Sequence, residues 1–291
     1  VTTRTGSTSA VLLVIAGLAC QEVGAAIAVL LFPQVGPLGM VMMRLAFSAV
    51  LLLAIARPRL RGHTWAAWRS VAAFGLVLAV MNGLFYLALE RLPLGVTVTI
   101  EVLGPLVLSI VASRRASAWL WAFVALAGVV ALAGGGWDRL DPIGVLFPLG
   151  AAASWAFYIL ASARVGREFP RLDGLALAMA VGAVISLPFG VWDAGAALLR
   201  PEVLALGAAV AVLSSAIPYA LELIALRRLA AAAFAILMSL APATATLAGF
   251  VLLGQHMTVI ELVGIALVIV ASIGAVRSSS RAAREAAEPI A

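Results

Sequence analysis

Residues 88–92 read Ala-Leu-Glu-Arg-Leu, and residues 225–229 read Ala-Leu-Arg-Arg-Leu. A shift of 137 positions superposes the two, and the same shift carries Pro105 onto Pro242. A shift of 140 carries Gly134 onto Gly274. The chain therefore repeats itself once. What this repeat means for the fold depends on how many helices separate the two copies.

Hydropathy supplies that number. Crossing a bilayer takes about 20 consecutive apolar residues in a helix. Ten stretches qualify: 10–31, 36–57, 68–89, 94–113, 118–135, 143–164, 173–192, 203–226, 230–254 and 258–276, called spans 1 to 10 below. Pro, Gly or charge separates them, as at Phe32-Pro33-Gln34, Arg57-Pro58-Arg59, Arg91-Leu92-Pro93 and Arg200-Pro201-Glu202. Five spans per half is an odd number, so the halves would enter the membrane in opposite orientations, an arrangement common in transporters. The expected fold is an all-α polytopic membrane protein with ten transmembrane helices as a 5+5 inverted-topology repeat. The first repeat covers 1–136, the second 137–276, and 277–291 forms a cytoplasmic tail.

Composition points the same way. Of 291 residues, 64% are hydrophobic and 11% charged, against about half and about a quarter in soluble domains. A soluble enzyme, a secreted module and a nucleic-acid binder are excluded on this ground, despite a net charge of +6. The basic residues are all Arg, 19 of them. With the N-terminus in the cytoplasm, 15 of these fall inside, Arg91, Arg139 and Arg200 fall outside, and Arg44 stays within the membrane. This asymmetry is the positive-inside pattern. It places both termini in the cytoplasm of a bacterial inner-membrane protein, with the Arg-rich tail against anionic lipid. Span 1 could be misread as a signal peptide, but Glu22 interrupts it and no cleavage motif follows. The lone Cys20 forms no internal disulfide, and His63 and His256 make no metal pattern, so neither metal nor cofactor is expected.

Ionisable groups deep in a bilayer are costly and point to function. Glu22, Arg44 and Glu101 come out about 18, 20 and 18 Å from the cytoplasmic ends of spans 1, 2 and 4, at 1.5 Å rise per residue. Glu22 and Arg44, on sequential antiparallel spans, form a candidate intramembrane charge pair, open to both a packing role and a substrate role. Glu101 is the candidate anchor for substrate or proton. Asn82 and Tyr86 share a face of span 3, and Thr97 shares one with Glu101 on span 4. Ser154, Trp155 and Tyr158 lie on span 6, Ser214, Ser215, Tyr219 and Glu222 on span 8, and Met238 and Ser239 on span 9. Of these, Asn82, Tyr86, Thr97, Trp155, Tyr158, Ser215, Tyr219 and Met238 are candidate substrate contacts. Glu222 and Glu261 are expected near helix ends, within reach of water. Gly104-Pro105 and Pro242 break spans 4 and 9 at equivalent places, and Pro218 interrupts span 8. Paired breaks suit a hinge beside a cavity, although ordinary packing kinks look the same. No Gly-rich phosphate loop, catalytic Ser/His/Asp set or metal motif occurs, so transport would be facilitated or driven by an ion gradient.

Several stretches resemble the EamA-type branch of the drug/metabolite transporter superfamily, and more closely its bacterial amino acid exporters of the threonine/homoserine type. In the first half these are Leu31-Phe32-Pro33-Gln34-Val35-Gly36 with Met43-Arg44-Leu45, Met81-Asn82-Gly83-Leu84-Phe85-Tyr86, and Pro93-Leu94-Gly95-Val96 leading to Glu101. In the second half they are Ser154-Trp155-Ala156-Phe157-Tyr158 and Ser214-Ser215-Ala216-Ile217-Pro218-Tyr219 with Glu222. Aromatic amino acid exporters of the same superfamily are near relatives. The resemblance implies a basket-like body whose central cavity opens alternately to either side and exports amino acids or related metabolites. Spans 3, 4, 8 and 9, with 1 and 6 beside them, would line it. The implied partners are a small-molecule substrate and membrane lipids, with no nucleic acid. Duplication within one chain leaves no need for a dimer, so a monomer is expected. The alternatives are a carrier of drugs, lipophilic cations or nucleotide sugars on the same fold, an intramembrane enzyme, or a channel.

Overall fold

The computed structural model describes the backbone over residues 3–113, 116–133, 141–226, 228–229 and 231–287. Gly134, Arg139 and Arg227 lie outside the described residues. Every regular element among them is helical. Among the described residues, eight helices are long and apolar enough to cross a membrane. The first of these, α1 (Thr3–Ala56), spends its length on two crossings, because Gly36 breaks it with φ 66° and ψ 166°. Span 5 corresponds to α5 (Ala116–Ala133), an 18-residue helix whose described apolar stretch, Trp119–Leu132, is shorter than the other spans.

The break in α1 lies three residues beyond the expected Pro33. The chain tolerates Pro33 and Pro37 within helical geometry and turns at Gly36, whose positive φ an L side chain rarely adopts. A Cβ at this position would also overlap the Asp193 carboxylate. That carboxylate caps the second limb of α1: Asp193 Oδ2 accepts from the backbone N–H of Leu38 at 2.8 Å and of Gly39 at 3.3 Å. Helix starts leave such donors without partners, and a side-chain acceptor supplies one. Asp193→Ala is expected to destabilise the protein by about 1 kcal/mol, with Asp193→Asn near wild type, read as thermal unfolding in detergent. An unchanged melting temperature for the alanine variant would count against the cap.

The two copies of the repeated pentapeptide adopt one turn. After α2 (Trp65–Leu89), Arg91 and Leu92 donate to the Ala88 carbonyl at 3.0 and 2.8 Å. At the second copy, Arg228 and Leu229 donate to the Ala225 carbonyl, both at 2.9 Å. Spans 4 and 9 are also broken alike. Span 4 is α3 (Leu94–Glu101) and α4 (Leu103–Ser113), joined at Val102. After α5 come α6 (Pro142–Glu168), α7 (Asp173–Ala194), a short 3-10 segment (Gly195–Leu199) and α8 (Pro201–Ala211). A π turn (Val212–Ala216) joins α8 to α9 (Ile217–Leu226). Span 9 is α10 (Ala231–Met238) and α11 (Ala241–Leu253), joined at Ser239-Leu240. In both broken spans the Pro sits in the first turn of the second piece, where its missing N–H would have no partner. The breaks therefore precede Pro105 and Pro242 by a few residues. Last comes α12 (Val259–Ala287), which continues past the expected end of span 10 at 276. The Ala-, Arg- and Glu-rich tail is a good helix former, and the described part of it extends the helix.

Packing is close where Gly removes side chains. Gly128 of α5 and Gly264 of α12 face each other, each backbone so near the other that a Cβ would meet a carbonyl oxygen. Gly39 of α1 meets Ala194 of α7, and Gly190 of α7 meets Met42. The periphery carries exposed Trp192, Leu199, Val184 and Phe123, a surface suited to lipid rather than water. At one end of the bundle, exposed Arg57, Arg59, Arg61, Arg69, Arg164, Arg167 and Arg171 gather on neighbouring segments. His63 stacks on Phe169 there at 4.3 Å between ring centroids. At the opposite end Arg91 Nη1 pairs with Asp141 Oδ2 at 2.6 Å. Asp141 also starts α6, accepting from Ile143 N at 3.0 Å. The hydrogen bond from Arg91 holds its carboxyl below the usual 3.8. A lowered carboxyl pKa adds stability that is full above the unfolded value and lost as pH falls through the folded one. The stability difference between wild type and Asp141→Asn is therefore expected to hold from neutral pH down to about 4 and to vanish below it. A difference already lost at pH 6 would contradict this.

Candidate functional site

Helices from both halves enclose a cavity of about 290 Å³. The first limb of α1 contributes Leu18, Gln21 and Glu22, and the second limb contributes Arg44. From α2 come Met81, Asn82 and Phe85, and from α3 Val98 and Glu101. The second half adds Trp155 and Tyr158 from α6, Glu222 from α9, Phe234 and Met238 from α10, and Ala241 from α11. The expected trio Glu22, Arg44 and Glu101 thus meets in one wall, together with Asn82, Trp155, Tyr158 and Met238.

Other expected contacts stand back from it. Tyr86 is fully buried behind Arg44, and its hydroxyl accepts from Arg44 Nη1 at 3.4 Å, with the guanidinium carbon 5.7 Å from the ring centroid. Thr97 and Ser215 are buried but do not line the cavity. Tyr219 falls on α9, and its side chain lies outside the described residues. Gly104, Pro218 and Pro242 do not line the cavity either, while Pro105 lines a neighbouring one.

The polar groups are already partly committed. Asn82 Nδ2 donates to the Leu78 carbonyl at 2.8 Å, one turn back on its own helix. Arg44 Nη2 donates to the backbone carbonyl of Ser214 at 3.2 Å. Glu22 is 2% exposed, and its Oε2 has no hydrogen-bond partner among the described residues. A buried carboxyl oxygen without a partner is costly, so a site that keeps one is equipped to receive a donor. Among the described residues, no group of three or more His, Cys, Asp or Glu is placed to hold a metal ion.

Glu222 departs from expectation. It is a half-buried member of the cavity wall rather than a solvated residue at a helix end. It sits on α9, the piece of span 8 that follows the π turn. The expectation also missed Gln21, Met81, Phe85, Val98 and Phe234. The 137-residue shift could have found several of these. It relates Leu18 to Trp155, Gln21 to Tyr158, Phe85 to Glu222, and Glu101 to Met238, and all eight line the cavity.

A second, mostly apolar cavity of about 200 Å³ lies among α4, α6, α10 and α12. Trp155, Phe234 and Met238 belong to both walls and form the partition between them.

Known proteins resemble this chain in sequence and in fold. The profile of the EamA-like transporter family matches residues 142–277. The threonine/homoserine exporter RhtA of Salmonella typhimurium (strain SL1344) is 38% identical over 91% of this chain and 90% of its own length. The RhtA of Escherichia coli (strain K12) is 37% identical with the same coverage. An uncharacterized transporter of Bacillus subtilis, YwfM, is 29% identical over 76% of this chain and 77% of its own. A solved structure described only as "Crystal structure of protein" shares the fold, with a TM-score of 0.53 and 21% identity over 92% of this chain and 97% of that one. The curated relatives are transporters, not enzymes, and the helices are those of a multi-pass inner-membrane protein. The chain belongs to the EamA-like transporter family of the drug/metabolite transporter superfamily.

Proposed function

We propose that this transporter exports small amino acids of the threonine and homoserine kind, by alternating access through the central cavity. The observation that carries the reading is the meeting of Glu22, Glu101 and Arg44 with an aromatic wall in one cavity. This occurs in a chain that matches threonine/homoserine exporters over nine-tenths of its length. A zwitterion needs an acceptor for its ammonium and a donor for its carboxylate, and a dry site must supply both. In this reading Glu101 faces the ammonium, Asn82 on the wall and Tyr86 behind Arg44 supply hydrogen bonds, and Trp155, Tyr158 and Met238 form walls tolerant of varied side chains.

Alternating access rests on the inverted repeat, 1–136 against 137–276. Three features support that division. The repeated pentapeptides form one turn, spans 4 and 9 break at equivalent places, and the cavity wall pairs at the same shift. Helix packing is paired as well. The contact of α2 with α6 has its counterpart in α1 with α9, and that of α4 with α5 in α11 with α12. The contact of α5 with α12 is its own counterpart. Rocking of one half on the other would open the cavity to either side, with Gly104-Pro105, Pro218 and Pro242 near the flexing points. The Arg-rich end, with both chain termini, is the cytoplasmic one in this reading, and a monomer contains the whole site.

The test is efflux of labelled L-threonine and L-homoserine from loaded proteoliposomes, with aromatic amino acids and a lipophilic cation as comparison cargoes, with and without a proton gradient. Faster efflux of the two hydroxy amino acids than from empty liposomes is expected. Movement of the cation alone would overturn the proposal.

A further inference from the structure

Among the described residues lining the cavity, Arg44 alone is cationic. Its Nη2 bond to the Ser214 carbonyl crosses from α1 to the π turn that joins α8 and α9. That carbonyl is an unusual acceptor. Pro218 stands four residues later and has no N–H, so the helical bond that would have ended on Ser214 O cannot form. The backbone opens into the π turn at this point, a feature frequent at functional sites. Arg44 supplies from another helix the donor that Pro218 removes. The first limb of α1 closes on the same spot: a Cβ on Gly24 would overlap Ser214 Oγ. One turn beyond Pro218, α9 carries Glu222 on the cavity wall. The weak point of span 8, a cavity cation and a cavity carboxyl are thus linked mechanically.

We propose that Arg44 is a switch that reads the substrate's carboxylate. Resting, the guanidinium ties down the Ser214 carbonyl. When an α-carboxylate enters, the guanidinium turns to it and lets the carbonyl go. The exchange is favoured because a guanidinium–carboxylate pair is charge-assisted and can be bidentate, while the Ser214 carbonyl and the Tyr86 hydroxyl each offer Arg44 a neutral, single bond. Release frees α9 to move at its π turn, carrying Glu222 with it, so that only a loaded cavity changes shape. A ligand can shift a conformation only through differential contacts, and here the carboxylate supplies them. The substrate class follows: a molecule bearing both ammonium and carboxylate is moved, and an amine without the carboxylate is not. This inference rests on the amino acid export proposed above.

The experiment uses the full chain in phosphatidylethanolamine/phosphatidylglycerol vesicles, with labelled L-threonine and with 1-amino-2-propanol, which is threonine without its carboxylate. Wild type is expected to export threonine and to ignore a large excess of the amine. Arg44→Gln is expected to raise the threonine KM by about tenfold to a hundredfold, the span of a charged hydrogen bond. Arg44→Lys keeps the charge without the planar fork and is expected to recover part of this loss. Pro218→Ala returns an N–H to the Ser214 carbonyl, so KM is expected to hold or fall while kcat falls. A kink that served packing alone would not split the two constants in this way. An unchanged KM in Arg44→Gln, export of the amine as fast as threonine, or an unchanged kcat in Pro218→Ala overturns the switch. If Arg44→Gln fails to insert, Arg44→Lys and the wild-type comparison of the two cargoes decide. Wild-type vesicles that move no amino acid overturn both the export reading and this one, whereas threonine export with an indifferent Arg44 overturns the switch alone.

Discussion

Glu101→Gln is expected to cut L-threonine efflux by about tenfold to a hundredfold, the loss of one charged hydrogen bond in a desolvated site. The substitution keeps the shape of the side chain and removes only its capacity to carry negative charge. Folding should survive it, because a neutral amide is easier to bury than a carboxylate. The expected signature is therefore near-normal thermal stability in detergent together with failed transport. Glu101→Asp retains the charge on a shorter stem and should retain more activity than the glutamine variant. Efflux at wild-type rates by Glu101→Gln would remove Glu101 from the proposed site and leave Glu22 and Glu222 as the cavity's acids. Its neighbourhood favours the first outcome, since Glu101 ends α3 at the break in span 4 and faces the same cavity as Arg44.

Gly104→Ala should have the opposite signature, a stability loss preceding any loss of function. A Cβ at Gly104 would overlap the backbone carbonyl oxygen of Ala152, within hard-contact distance. Backbone cannot rotate aside as a side chain can, so α4 and α6 would have to separate. Overpacking of this kind typically costs about 1–3 kcal/mol. The measurement is thermal unfolding in detergent, with the exposed Val107→Ala on the same helix as the control. Equal melting temperatures for Gly104→Ala and the control would show that the helices yield there. The expected result makes Gly104 a close-packing residue of α4 on α6, with flexing assigned to the neighbouring break at Val102.

Much of the fold is legible in the sequence. Ten apolar stretches, a repeated pentapeptide and a lopsided distribution of Arg identify an all-helical membrane protein, because each signal reflects a cost the bilayer imposes on local sequence. The midplane trio was legible for the same reason: three charged residues at one depth stand out against an apolar background. The turn in α1 was less so. Pro33 was the stronger local signal, but the chain turned at Gly36, where the neighbouring Asp193 carboxylate leaves no room for a Cβ and caps the next limb. That choice depends on a residue 157 positions away in a different helix.

The sequence by itself determined the membrane fold class, singled out Glu22, Arg44 and Glu101 as charges within apolar spans, and marked spans 4, 8 and 9 as interrupted near their Pro residues. Each follows from residue type and position alone. Only the tertiary structure decided which polar residues share a cavity. It set Thr97 and Ser215 back from the wall, brought Glu222 onto it, and joined Arg44 to the Ser214 carbonyl, to which Pro218 has no N–H to donate. The physical reason is rotation. Depth along a helix is written in residue number, but the direction a side chain faces depends on how neighbouring helices pack and on every π turn and Gly that shifts their phase.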